Sequence, residues 1–90
     1  MTDPVHEIEK RSKAIMKLQA EIASIHLHRA VEIIGSQAEL ARKIGVTPMA
    51  INQWIKRGIP AKHVLNIEKL TDYQVTRYEL RPDLYPSNAA

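Results

Sequence analysis

The sequence predicts an all-α fold made of a long N-terminal helix, three short helices and a short C-terminal arm. From Val5 to Ile34 there is no Gly or Pro, and Ala, Leu, Ile, Glu, Lys and Met are abundant, which favours one nearly continuous helix. Beyond it, Gly35, Gly45, Pro48, Gly58 and Pro60 punctuate the chain at short intervals, a spacing suited to short helices joined by tight turns. The stretch QAELARKIGVTPMAINQWIK between Gln37 and Lys56 has the apolar spacing of two such helices packed together, a helix-turn-helix.

The elements follow in order. Asp3 before Pro4 suits a cap and first helical position. Along the first helix Ile8, Ile15, Leu18, Ile22 and Ile25 fall on a seam spaced like the a and d positions of a heptad. Leu27, Val31 and Ile34 lie on a stripe rotated by roughly 200° from that seam. The two halves are therefore expected to bury against different partners. Gly35 ends this helix, and Ser36 caps a second that runs to Ile44 before Gly45. Thr47 and Pro48 open a third, which continues through Ile51, Trp54 and Ile55 to Gly58, and a fourth begins near Pro60 and ends about Leu70. The tail, TDYQVTRYELRPDLYPSNAA, is richer in β-branched and aromatic residues and then in Pro. It is expected to be a short strand or extended arm on the domain, with a loose end. The expected units are residues 1–26 as a helical extension, 27–86 as the helix-turn-helix domain and 87–90 as a loose tail.

Composition removes several functions. Ninety residues provide one modest core. No apolar run approaches the roughly 18 residues of a membrane span, and the polar, acidic start MTDPVHEIEKRSK lacks the features of a secretory signal, so a cytoplasmic location and no membrane contact are expected. Without cysteine there is no disulfide, thiol nucleophile or thiolate metal site. His6, His26, His28 and His63 have no spacing that suggests zinc and are expected at the surface. Glu7, Glu9 and Glu21 balance Lys10, Arg11, Lys13 and Lys17 as solvated positions. With no acid–base constellation and no Gly-rich phosphate loop, the chain is expected to be no enzyme and to need no cofactor or metal.

The net charge of +3 is unevenly spread. Residues 1–34 carry five basic and five acidic side chains, residues 64–90 three and four, and residues 35–63 hold Arg42, Lys43, Lys56, Arg57 and Lys62 against Glu39 alone. A positive field confined to one stretch suits a phosphate-binding surface.

That stretch is also the two-helix unit. Ala41 is small where the helices would approach, and Gly45 stands at the turn, where a positive φ would cost any residue with a Cβ. At about 100° per residue, Ile51, Trp54 and Ile55 share one side of the second helix, so Trp54 is expected in the core rather than as a stacking platform. Met49, Asn52, Gln53 and Lys56 gather on the other side, the one available to a major groove. Amides pair with adenine edges, a thioether suits a thymine methyl, and a cation suits phosphate or guanine. Met49 could instead fill a core gap.

The residues GSQAELARKIGVTPMAINQWIKRGIP, IEKLTD and VTRYELRPDLYP resemble the Cro-type (lambda-repressor-like) helix-turn-helix repressors of temperate phages, and most of all the YdaS-like group of prophage regulators and antitoxins. The resemblance runs from Ile34 to Pro86, and the long N-terminal extension departs from it. It implies a sequence-specific regulator in a bacterial cell that binds double-stranded operator DNA, commonly as a homodimer. By position in the motif it implies base contacts from Thr47, Met49, Asn52 and Gln53, and phosphate contacts from Ser36, Gln37, Lys43, Lys56 and Arg57. The competing expectation is a protein-interaction module, such as an antitoxin-like partner, or a phage packaging or replication component of the same fold. Ile8, Ile15, Leu18, Ile22 and Ile25 are the expected association residues, for a second copy or another protein, although two heptads are short and the helix could instead fold back on its own domain.

Overall fold

Caps and turns divide the chain into five helices. A computed structural model describes residues 4–86, with side chains from residue 11 onward. The helices are α1 (Pro4–Ile34), α2 (Gln37–Ile44), α3 (Pro48–Arg57), α4 (Ala61–Leu70) and α5 (Arg77–Leu80). Asp3, the expected first cap, residues 87–90 and the side chain of Ile8 lie outside the described residues.

Two hydroxyl caps define the central pair. The backbone N–H of Glu39 donates to Ser36 Oγ at 3.1 Å to start α2, and that of Ala50 donates to Thr47 Oγ1 at 3.2 Å to start α3. Each satisfies a donor that has no partner within its own helix. Gly45 ends α2 at φ 90°, and both its N–H and that of Val46 reach the Ala41 carbonyl, at 2.8 and 2.9 Å. This left-handed turn is what swings α3 across α2.

The core draws one or two residues from each element: Leu27 and Ala30 of α1, Leu40 and Ala41 of α2, Ile51 and Trp54 of α3, Val64 and Ile67 of α4, then Ile59, Val75 and Leu80. Val31 and Ile34 pack against its edge. At a fully enclosed position such as Ile51, truncation to Ala costs about 2–5 kcal/mol through lost transfer energy and the cavity left behind.

α1 runs without interruption through residues 26 and 27. Its core-facing stripe is joined by the partly buried Ala23 and Ser24, whereas Ile15, Leu18, Ile22 and Ile25 on another face are 45–60% exposed. Every side chain from 11 to 20 is exposed, so this part of the helix projects past the domain.

The tail differs from the expected strand or extended arm. Among the described residues there is no strand, and residues 77–80 form one helical turn instead. Thr76 and Glu79 make a reciprocal capping box, which closes a turn more effectively than β-branched composition favours a strand. Ahead of it, the buried Thr71 hydroxyl accepts the Val75 N–H at 3.2 Å and lies 3.0 Å from the Ile67 carbonyl, while Asp72 and Tyr73 take left-handed φ values of 55° and 63°. Arg77 then pairs with the buried Glu68, and Arg81 donates to the Ile59 carbonyl at 2.7 Å.

Two histidines also depart from the surface expectation. His26 is partly buried, with Nδ1 3.4 Å from Glu79 Oε2, and His63 stacks on Trp54 with ring centroids 4.7 Å apart. Each lies at a seam between helices, where an imidazole provides both an apolar face and a polar edge. His28 is exposed, and the His6 side chain is outside the described residues.

Candidate nucleic-acid interface

The candidate site is the outer face of α3. Ile51 and Trp54 point into the core and Ala50 and Ile55 are partly buried, so the remaining helical positions turn outward. Met49, 69% exposed, does not fill a core gap. With Asn52, Gln53 and Lys56, all exposed, it lies within about a third of the helix circumference. Thr47 stands exposed at the head of this row. Its oxygen accepts the Ala50 N–H, which leaves its O–H free to donate outward.

α3 is held at both ends and from behind. The Thr47 cap and Pro48 set its start, and the Gly58 N–H closes its end on the Trp54 carbonyl at 2.7 Å. From α1, Ser24 Oγ donates to the Ile55 carbonyl at 2.9 Å. That carbonyl is in the last turn, where no intrahelical partner exists. Ser24 went unnoticed in the sequence, because a lone serine inside a long helix carries no signal of what lies 31 positions away.

The expected phosphate contacts are spread around this face. Ser36 and Gln37 are partly buried at the start of α2, with the Ser36 oxygen engaged in its cap. Lys43 is exposed at the end of α2, and Lys56 and Arg57 at the end of α3. Lys62, exposed in the first turn of α4, was counted in the charge surplus but given no role.

Ion pairing sharpens the contrast between this region and the rest. Arg77 is bound to Glu68, Arg81 to Asp83, and Arg29 lies 3.6 Å from Glu79. Arg42 is tied to Glu39 at 2.6 Å. Among the described residues, Lys43, Lys56, Arg57 and Lys62 have no carboxylate within ion-pair distance. The unneutralised positive charge therefore lies beside the outer face of α3, while the cations near α4 and α5 are used internally.

The internal pairs hold their carboxylates charged. Hydrogen bonds from the Arg77 side chain, aided by its backbone N–H, keep Glu68 below the usual carboxylate range despite burial. Burial pushes Glu79 up, but bonds from Thr76 and the charges of His26 and Arg29 outweigh it and lower the net value. His63 is lowered by burial and by neighbouring Lys62, which favours the neutral ring against Trp54.

Comparison with known proteins agrees with this architecture. The chain is 43% identical over 58 residues to a protein of Escherichia coli (strain K12) named "Putative transcriptional regulator YdaS", a match covering 62% of this chain and 59% of that protein, so under two thirds of the relative's length is spanned. It is 42% identical over 65 residues to the Gene 30 protein of Enterobacteria phage phi80, covering 71% and 84% of the two chains. Its fold matches the Cro protein of the prophage element Xfaso 1 in Xylella fastidiosa strain Ann-1 with a TM-score of 0.67 and 35% identity, over 69% of this chain and 97% of that one. The fold is thus that of a Cro-type helix-turn-helix protein, with relatives among phage and prophage proteins and a transcriptional-regulator homologue. Residues 27–89 match the model of the family described as bacterial toxin YdaS, and the chain belongs to that family.

Proposed function

We propose that this protein is a sequence-specific operator-binding regulator that acts by occupying DNA. The carrying observation is the exposed row Thr47, Met49, Asn52, Gln53 and Lys56 on a buried-backed helix, beside cations with no internal partner. α3 enters the major groove, where Asn52 and Gln53 read base edges, Met49 contacts a thymine methyl and Thr47 donates from the helix head. Lys56, Arg57, Lys43, Gln37 and Ser36 hold the phosphates and supply most of the affinity. Two copies place their α3 helices in successive grooves, roughly 34 Å apart, and block or reshape access by polymerase.

No catalytic step is assigned. A mainly apolar cleft of about 380 Å³ lies between Met16, Ala20 and Ala23 of α1 and the Ile59, Leu80 and Pro82 side. The charged pair in its lining, Arg81 and Asp83, is bonded to itself at 2.7 Å, and such a pair is poorly placed for acid–base work. Among the described residues no helix is long and apolar enough to cross a membrane, and the protein is read as working on DNA in the bacterial cytoplasm.

The test is a genome-fragment selection with purified protein, followed by competition against random duplex at about 150 mM salt. The expected result is a two-fold symmetric site bound at least about a thousandfold more tightly than random DNA. Weak binding with no preferred site, lost as salt rises, would overturn the operator reading and bring the protein-interaction alternative forward.

A further inference from the structure

We infer that the exposed seam of α1 pairs two copies of this chain as a short parallel coiled coil, in register. The inference deepens the operator reading by assigning the surface that joins the copies, but its geometry and its test are independent of DNA.

Ile15 and Ile22 occupy one heptad position and Leu18 and Ile25 the other, and all four are exposed although they are large and aliphatic. The opposite side of the same helix already serves the core through Leu27 and Ala30, so the seam cannot turn inward without unpacking the domain. A strip of this periodicity is complementary to another copy of itself, with β-branched residues at a and Leu at one d suited to two strands.

Charge chooses the orientation. Glu21 and His26 flank the seam at the g and e positions. In a parallel pair each Glu21 faces the other copy's His26, and symmetry makes this contact twice. An antiparallel pair that buries the same four residues brings Glu21 against its own counterpart, a repulsive contact. Arg29, next along the seam, is turned to its own domain, donating to the Gln74 carbonyl at 3.0 Å and lying near Glu79, so its charge is already engaged where the seam ends. The seam therefore runs between Arg11 and Arg29. Its four layers bury roughly 1,000 Å² across both copies, at the lower limit of a specific interface, so pairing is concentration-dependent.

The chain has no native cysteine, which makes cross-linking decisive. In the parallel register the two residues 25 face each other at disulfide distance. In the antiparallel one they are ten residues out of step, about 15 Å along the axis, too far to bridge. The full-length Ile25→Cys protein is expected to form a disulfide-linked dimer on mild oxidation. The parent protein should double its mass by sedimentation between about 1 and 200 µM. Ile22→Asp, at an exposed position, should retain helical circular dichroism and stay monomeric. A parent protein that remains monomeric throughout overturns the inference, whatever its DNA affinity. Cross-linking that requires mixing Ile15→Cys with Ile25→Cys overturns the parallel register. A dimer that cross-links as expected but selects no DNA site would sustain the seam while removing the operator reading.

Discussion

Ser24 on α1 donates its hydroxyl to the carbonyl of Ile55 on α3 across 2.9 Å. One hydrogen bond thereby couples the long helix, with its exposed aliphatic seam, to the helix whose outer face carries Met49, Asn52, Gln53 and Lys56. The Ile55 carbonyl would otherwise be an unpaired acceptor at a partly buried helix end. Ser24→Ala is expected to lower stability by about 0.5–1.5 kcal/mol, the usual worth of such a bond. DNA affinity should fall with it, since the C-terminal turn of α3 loses its tether while sedimentation stays unchanged. A urea melt and a binding titration on the same variant check both parts.

The two kinds of contact on α3 should separate experimentally. Asn52→Ala is expected to cost about 1–3 kcal/mol on the selected site and to relax preference at one base pair. Lys56→Ala should weaken all sequences alike and reduce the salt slope by about one. Competition assays over a salt series measure the two effects. Equal affinity of both variants and parent on the preferred site would show that α3 does not read it.

Acid should destabilise the α4–α5 junction through Glu68. Its folded carboxyl is held below the ordinary range by Arg77, so the unfolded chain takes up a proton first as pH falls. The stabilisation is complete above the ordinary glutamate pKa, from about pH 5 upward, and disappears as pH drops through the lower folded value. Glu68→Gln is expected to lose about 1–3 kcal/mol at neutral pH and to show a flatter acid dependence. Denaturant melts at neutral and acidic pH compare the two proteins.

Trp54 is the single tryptophan and stacks on His63, so its fluorescence should titrate with that ring. Burial and Lys62 lower the His63 pKa, which puts the midpoint below the ordinary value of 6.5. The sign is that of a base neutral in the fold. Its contribution to stability is present above the ordinary value and is lost as pH falls through the folded one. Emission is expected to change over that window in the parent and to stay flat in His63→Gln. A parent profile that is itself flat would mean the stack does not persist in solution.

The helix-turn-helix and its exposed row were legible because their causes are local. Ser36, Thr47, Pro48 and Gly45 each act within a few residues on cap or turn geometry, and helical spacing alone separates Ile51 and Trp54 from Asn52 and Gln53. The tail was less legible, because Val75, Tyr78 and Tyr85 suggest extended chain. The Thr76 to Glu79 capping box was present in the sequence, but its significance depends on Glu68 and Arg77 meeting across the turn.

What the sequence determined by itself was the set of helices, the positions of their ends and the faces each would present, since capping, backbone freedom and helical periodicity operate at short range. The tertiary structure decided which charges remain available: it spent Arg29, Arg77 and Arg81 on carboxylates and left Lys43, Lys56, Arg57 and Lys62 beside α3. It also decided that the α1 seam stays exposed while Leu27 and Ala30 of the same helix are buried. The physical reason is the same in each case. Ion pairing and burial depend on what folding brings within a few ångströms, and distance along the chain does not report it.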